Sequence, residues 1–296
     1  MDKFLHMWEA VALVRGFLDS CHRGKLLSPP RFMLKLGEHG LVLTAGAVLG
    51  RCSGLRVYHT RTPQGDEPSQ LTVVFNDDDG SIRGIFVGDE LGEWRTGALG
   101  GIAVSVMSPP EARVLGILGC GRQAATQLAG ALAVRTFEHA LVYCRDHDRR
   151  KRFASKMSMT TDVDVRVADT AKEVVERADV LVCATSSLEP ILDEAWLKSD
   201  VHINHIGPKL TSGSELPRAV HASAALLVSD APEEVARLGS ELVSHGMAHR
   251  SLAEILRDRP SSRLTGRSVY VSLGLAGTEV ALAREVFDRA AQEVPS

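Results

Sequence analysis

Between Phe4 and Leu18 the apolar residues Leu5, Trp8, Val11, Leu13, Val14, Phe17 and Leu18 recur at helical spacing, and Gly24 with Pro29 and Pro30 ends the pattern. An amphipathic helix opens the chain. The runs that follow alternate with a period of two: Leu41 to Thr44, Leu55 to His59, Leu71 to Asn76 and Ile82 to Val87. Turn-forming clusters such as Asp77-Asp78-Asp79-Gly80 separate them, which predicts a small antiparallel sheet. Trp94 to Met107 reads as a helix of small residues. It stops at Ser108-Pro109-Pro110, because proline lacks the N–H and pushes its predecessor out of the helical region. The domain boundary is placed there.

Beyond Pro110 the texture changes to short apolar strands alternating with helical segments, as in a parallel sheet of βαβ units. Strands are predicted at Arg113 to Leu118, Ala140 to Cys144, Val163 to Val167, Val180 to Ala184, Val201 to Ile206 and Ala225 to Ser229. Helices are predicted near Gln123 to Ala133, Arg149 to Lys156, Ala171 to Arg177 and Pro232 to Leu238. The tail reads as a strand from Ser268 to Leu273, then Gly274, then a helix from Thr278 to near Ala290 that can return to the first domain.

Composition narrows the function classes. The 296 residues are 44% hydrophobic and 24% charged, which places the chain among folded globular proteins and away from disordered ones. The formal net charge of −3 gives no strong field for a nucleic-acid backbone or an acidic membrane surface, so neither partner is expected. No run approaches the roughly 18 apolar residues that span a bilayer, and MDKFLHMWEA lacks the layout of a signal peptide. A cytoplasmic location is expected. Cys21, Cys52, Cys120, Cys144 and Cys183 are scattered and never at metal-ligand spacing, so they read as small apolar side chains and no metal site is expected.

The run from Arg113 through Ala124, Arg-Val-Leu-Gly-Ile-Leu-Gly-Cys-Gly-Arg-Gln-Ala, is a strand, a glycine turn and a helix start of the G-x-G-x-x-A type. Gly119 permits the tight turn, Gly121 removes a side chain where a pyrophosphate approaches the backbone, and Ala124 lets the helix lie close on the strand. N–H groups at the helix start, including those of Arg122 and Gln123, are expected to face the anion. A glycine turn of this kind also occurs without a ligand. Its place at the first βα junction of a βαβ series is what points to a dinucleotide. The second strand ends in Cys144, where an NAD site usually has an acid, and Arg145 follows, which favours NADP(H). Asp146 leaves NAD(H) open, and a solvated basic turn ahead of Arg149, Arg150, Lys151 and Arg152 is the plain alternative.

Five strings in order then resemble the ornithine cyclodeaminase and mu-crystallin family. They are Glu93-Trp94-Arg95-Thr96-Gly97-Ala98, Leu115 to Ala124, Ala184-Thr185-Ser186-Ser187-Leu188-Glu189-Pro190-Ile191-Leu192, Ile203-Asn204-His205-Ile206-Gly207 and Ser272-Leu273-Gly274-Leu275-Ala276. The resemblance covers nearly the whole chain. It implies an α/β fold in which a Rossmann domain, a doubly wound parallel sheet spanning 109–274, is inserted in a smaller α+β substrate and dimerisation domain built from 1–108 and about 275–296. It also implies a homodimer, and hydride transfer between a nicotinamide and a carbon attached to nitrogen in an amino or imino acid.

By motif, the family's carboxylate-binding residues fall on Arg31, Arg56 and Arg95, and Thr96 resembles the residue that hydrogen-bonds a cofactor phosphate. Arg56 stands where the family has Lys, which keeps the charge and removes a group able to exchange protons near neutrality. Exposed surface arginines are the plain reading of Arg31 and Arg56. Ala184, Thr185 and Ser186, at the end of the fourth strand, are expected to line the nicotinamide side. Glu279 takes a position where the family commonly has Asp near the active site, and a first-turn acid would look the same. Lys209 takes the place of an Asp that serves the substrate amine in ornithine cyclodeaminase, so a cation there disfavours ornithine cyclisation. Lys209 can instead meet a second carboxylate or give a proton to a substrate nitrogen, and a solvated loop lysine is equally consistent. His205, a lone histidine on a strand, reads as a packed residue.

The sequence therefore points first to an NAD(P)H-dependent reductase of imino acids or dehydrogenase of amino acids. A redox-neutral cyclodeaminase-type lyase and a non-catalytic NADPH-binding protein are the alternatives.

Overall fold

The computed structural model describes residues 1, 3–21, 23–61, 67–258 and 265–293, so the final three residues of the expected first domain lie outside it. The chain divides into two compact units, Met1–Arg95 with Gly274–Ser296, and Thr96–Leu273.

The first unit starts with α1 (Met7–Cys21), which begins three residues later than the periodicity predicts because the Glu9 carboxylate accepts from the His6 N–H at 2.8 Å and caps the first turn. Six strands follow: β1 (Leu26–Leu27), β2 (Phe32–Leu36), β3 (His39–Val48), β4 (Cys52–His59), β5 (Gln70–Asn76) and β6 (Ile82–Val87). They form an antiparallel sheet in the order β1-β3-β4-β5-β6, with β2 also paired to β3. The sequence missed β2, whose Phe-Met-Leu-Lys-Leu run does not alternate, and stopped β3 at Thr44. β3 in fact continues through Ala45-Gly46-Ala47, residues of weak strand propensity.

What holds that stretch is α9 (Ala276–Glu293), the returning helix. A Cβ on Gly46 would collide with the backbone of Gly277, and one on Gly54 would come within 3.0 Å of Val280. The helix backbone therefore lies almost on the strands. Val42, Val48, Cys52 and Val74 on that face are buried, as are Val280, Ala281, Ala283 and Val286. The opposite face carries Leu43, Val57, Leu71, Val73, Ile85 and Val87, of which Ile85 and Val87 are more than half exposed.

The division between units falls inside α2 (Glu90–Met107), immediately after Arg95. Residues 96–108, which the sequence grouped with the first domain, cluster with the second unit. The reason is close helix contact: Gly97 and Gly101 lie against Gly130 of α3 (Arg122–Leu132), where no Cβ would fit.

The second unit is a parallel sheet with helices between its strands. In chain order its elements are β7 (Val114–Leu118), α3, β8 (His139–Tyr143), α4 (His147–Thr160), β9 (Val165–Val167), α5 (Ala171–Arg177), β10 (Val180–Cys183) and β11 (His202–His205). A two-residue hairpin pair, β12 (Lys209–Leu210) and β13 (Gly213–Ser214), leads to α6 (Arg218–Ala222), β14 (Leu226–Ser229), α7 (Pro232–Leu238), β15 (Arg250–Ser251), α8 (Leu252–Asp258) and β16 (Ser268–Val271). The sheet order is β15-β14-β16-β11-β10-β7-β8-β9. The chain reverses between β7 and β10, so the ends of these two strands mark the crevice where open α/β sheets take ligands.

Two apolar layers cover the sheet, one around Leu115, Ile117, Leu128 and Val142, the other around Leu118, Leu181, Ile203 and Val269. Among the described residues no helix is long and apolar enough to cross a membrane.

Candidate functional site

In the first unit the α9-facing side of the sheet ends in a charged cluster. Arg56 sits on β4 between Thr44 of β3 and Thr72 of β5. Glu279, in the first turn of α9 and 2% exposed, accepts on one oxygen from Arg56 Nη1 at 3.1 Å and from Arg95 Nε at 3.2 Å. The Arg56 guanidinium stacks on the Tyr58 ring, 4.3 Å from its centroid, and Arg31 Nη1 donates to Tyr58 Oη at 3.5 Å. Arg31, Arg56, Arg95 and Glu279 are thus brought together, three guanidiniums around one carboxylate.

Burial lowers the pKa of Arg56, Glu279 opposes that shift, and Arg95 and Arg31 add to it. A guanidinium nonetheless stays charged at neutral pH, so Arg56 offers charge and hydrogen bonds and no proton exchange. Its Nε is buried with no hydrogen-bond partner among the described residues. Gly274 has φ +93°, and a Cβ there would lie 2.9 Å from both terminal nitrogens of Arg95, so only glycine serves the turn and leaves the guanidinium its space.

In the second unit the glycine turn has the shape the sequence implies. Gly119, at φ +121°, donates its N–H to the Tyr143 carbonyl at 2.9 Å, and a Cβ on it would collide with the Ala184 carbonyl oxygen. Gly121 is different: it is extended, and a Cβ would meet nothing nearer than Arg149 Nη2 at 3.8 Å. The protein itself does not require glycine there. Gly121 is also the N-cap of α3 without a side-chain cap, so the turn leaves a side-chain-free cradle before uncapped N–H groups, which fits a pyrophosphate.

Around this turn Ala124 is fully buried, Gln123 half-buried and Arg122 exposed. Arg145 is exposed just beyond β8, and Asp146 accepts from the Arg149 N–H at 2.9 Å as the N-cap of α4. That backbone hydrogen bond is the main cause of the lowered Asp146 pKa. The acid nearest the strand end is already engaged as a helix cap. Thr96 is buried, and its carbonyl accepts from Gln127 Nε2 at 2.7 Å; Gln127 Oε1 in turn accepts from Asn204 at 3.0 Å, tying α2, α3 and β11.

The ends of β10 and β11 meet at a residue that sequence reasoning missed. Glu215 is fully buried, and its Oε2 accepts from the Thr185 N–H at 2.8 Å and from Thr185 Oγ1 at 2.7 Å. Its Oε1 accepts from the Gly207 N–H at 2.6 Å. Burial raises the Glu215 pKa, while the Thr185 and Gly207 donors and the nearby Lys209 pull it back. The only sequence signal is an acid after Gly213-Ser214, which an exposed loop shows equally.

Ala184 and Thr185 are half-buried and Ser186 is exposed. Lys209 is half-buried on β12 and donates Nζ to the Ile206 carbonyl at 3.0 Å. His205 is fully buried, with Nε2 2.9 Å from the Pro208 carbonyl and Nδ1 3.0 Å from His221 Nε2. Since a carbonyl only accepts, His205 carries its proton on Nε2 and accepts from His221. Burial, Lys209 and His221 hold its pKa well below the usual range.

Comparison with known proteins gives a consistent result. The model of the ornithine cyclodeaminase/mu-crystallin family matches residues 2–293. The ketimine reductase mu-crystallin of Macropus fuliginosus is 29% identical over 233 residues, 78% of this chain and 73% of that protein. Among solved structures, the Delta(1)-pyrroline-2-carboxylate reductase of Thermococcus litoralis, in complex with NADH and L-proline, superposes with a TM-score of 0.88 at 24% identity, covering 99% of this chain and 95% of that one. An archaeal alanine dehydrogenase dimer with bound NAD gives a TM-score of 0.87 at 25% identity, covering 100% and 95%.

Proposed function

Because the chain belongs to the ornithine cyclodeaminase/mu-crystallin family, we propose that it is an NAD(P)H-dependent oxidoreductase acting at the α-carbon of an imino or amino acid. The observation that carries this reading is the cluster of half-buried Arg31 and Arg56 with buried Arg95, three guanidiniums around the one carboxylate of Glu279. Such a cluster receives a carboxylate, orients the carbon beside it, and favours acids over analogues that lack the carboxylate, which cannot make the same charge-assisted hydrogen bonds. The nicotinamide nucleotide supplies the hydride. Gly119, Gly121, Arg122, Gln123 and Ala124 would hold its pyrophosphate, Thr96 a phosphate oxygen, and Ala184, Thr185 and Ser186 its nicotinamide side.

Arg145 next to Cys144, with Asp146 engaged as a cap, favours NADP(H) over NAD(H). By the resemblance Lys209 takes the place of an Asp that serves the substrate amine, and a cation in that role argues against cyclodeamination of a diamino acid. It suits a substrate with a second carboxylate, or delivery of a proton to nitrogen. The exposed apolar face of the first unit's sheet fits a second copy of the chain, in keeping with the dimeric alanine dehydrogenase. Sedimentation should give twice the chain mass, and a monomer at micromolar concentration would refute that part.

The test of the activity is nucleotide consumption with a cyclic imino acid, run with NADPH and with NADH. Turnover is expected with both, faster with NADPH. Tight nucleotide binding with no turnover across a panel of imino acids would instead mark a non-catalytic binding protein. Turnover without net consumption would mark the redox-neutral lyase.

A further inference from the structure

We infer that Glu215 is a positioning residue, one that fixes the loop after β10 and the turn after β11 so that the nicotinamide lies in one orientation; this rests on the function proposed above. Three observations carry it. First, the carboxylate is fully buried and uses both oxygens on main-chain N–H groups from two different strand ends, Thr185 after β10 and Gly207 after β11. A carboxylate that accepts from backbone sets where the backbone lies, whereas one that pairs with a long side chain sets only that side chain.

Second, the tie extends along the loop. Thr185 Oγ1 donates to Glu215 and accepts from the Ser187 N–H at 3.1 Å, so its hydroxyl has one direction, and Ser187 Oγ donates to the Glu189 carbonyl at 2.7 Å. On the other side, the Ala184 carbonyl oxygen occupies the space a Cβ on Gly119 would need, so the loop held by Glu215 also packs on the phosphate-binding turn. Third, Glu215 is fixed at its own backbone: its N–H donates to the Pro208 carbonyl at 3.0 Å and its carbonyl accepts from the Ile191 N–H at 2.9 Å. Gly207 completes the fit, since a Cβ there would meet the Glu215 carboxylate.

Glu215→Gln replaces one acceptor oxygen by an NH2 donor of nearly the same size. The amide oxygen can serve Gly207, and the NH2 can serve Thr185 Oγ1, but the Thr185 N–H is then left without its acceptor. The expected result is a nucleotide Kd within about threefold of wild type and a kcat per bound nucleotide lower by about tenfold or more, because small misplacement of reacting atoms is costly in rate. The fluorescence of the bound reduced nicotinamide, which needs no turnover, should move toward that of the free nucleotide. Thr185→Val, which keeps the N–H and loses only the hydroxyl, should show the same direction with a smaller effect, and it decides the matter if Glu215→Gln does not fold.

An unchanged kcat per bound nucleotide and unchanged fluorescence overturn the role. Loss of folded protein and of binding sites in parallel, with normal turnover at the sites that remain, also overturns it. Failure of the wild-type chain to bind either nucleotide overturns the proposed function together with this role. Wild-type binding without turnover overturns the proposed function alone, and the fluorescence comparison then judges Glu215.

Discussion

Two buried glutamates, one in each unit, are neutralised in opposite ways. Glu279 accepts from two guanidiniums at the ends of long side chains, and its neighbours carry formal charge. Glu215 accepts from two backbone N–H groups and one hydroxyl. The first arrangement holds charges near one another that would otherwise repel, and Arg56 Nε stays buried without a hydrogen-bond partner among the described residues. The second leaves no capacity for a ligand and instead fixes main chain. The comparison teaches that burial of a carboxylate does not by itself identify a substrate site; what matters is whether its partners are charged side chains or backbone dipoles.

The largest effect expected from breaking this contrast is on Glu279→Gln. With the carboxylate gone, Arg56 and Arg95 face each other in a buried site, and removal of one partner of a buried pair costs about 3–5 kcal/mol. Urea unfolding should show that loss. A shift below 1 kcal/mol would mean the two guanidiniums find water or another partner.

An effect that is smaller for each residue and pH unit, and graded, comes with acid. Burial holds His202 and His221, both in the second unit, down to about 4, and His205 well below the usual range. When unfolded, each binds a proton near pH 6.5, so the unfolded chain holds more protons between pH 6.5 and 4. Stability is therefore full above pH 6.5 and falls as the pH drops through that window, by about 1.4 kcal/mol per histidine per pH unit. The first unit's charged cluster contains no histidine. Unfolding midpoints measured at pH 7 and pH 5 should show the loss, and equal midpoints would contradict the neutral burial of these side chains. The smallest effect is the stability change on Glu215→Gln, about 1–2 kcal/mol for the lost hydrogen bonds. A larger loss than in Glu279→Gln would invert the comparison.

How far each glutamate was legible follows from the same physics. Glu279 stood out because the resemblance places it where the family commonly has Asp, shortly after Gly274-Leu275-Ala276, and Arg95 lies in another of the resembling strings. The βαβ texture and the glycine turn were legible because apolar period and turn chemistry are local. Glu215 was not, because nothing within a few residues of it differs from a solvated hairpin. Its partners at 185 and 207 become neighbours only when β10 and β11 pair in parallel, Val180 beside His202 and Cys183 beside His205. Gly46 and Gly54 were hidden for a similar reason. Glycine weakens a strand prediction, yet here it marks where the backbone of α9 meets the sheet. The division of α2 after Arg95 likewise depends on Gly97 and Gly101 meeting Gly130, a contact with no trace in the helix's own periodicity.

The central claim is that the guanidinium cluster binds a substrate carboxylate for reduction by NAD(P)H. It is tested most directly by following nucleotide oxidation with a cyclic imine that carries the α-carboxylate and with the same ring lacking it, for the wild-type chain and Arg95→Ala. The account predicts turnover of the acid by wild type, a fall in kcat/KM of about a hundredfold or more on removing either the acid or Arg95, and little further loss when both are removed. Equal turnover of the two imines by wild type would contradict it.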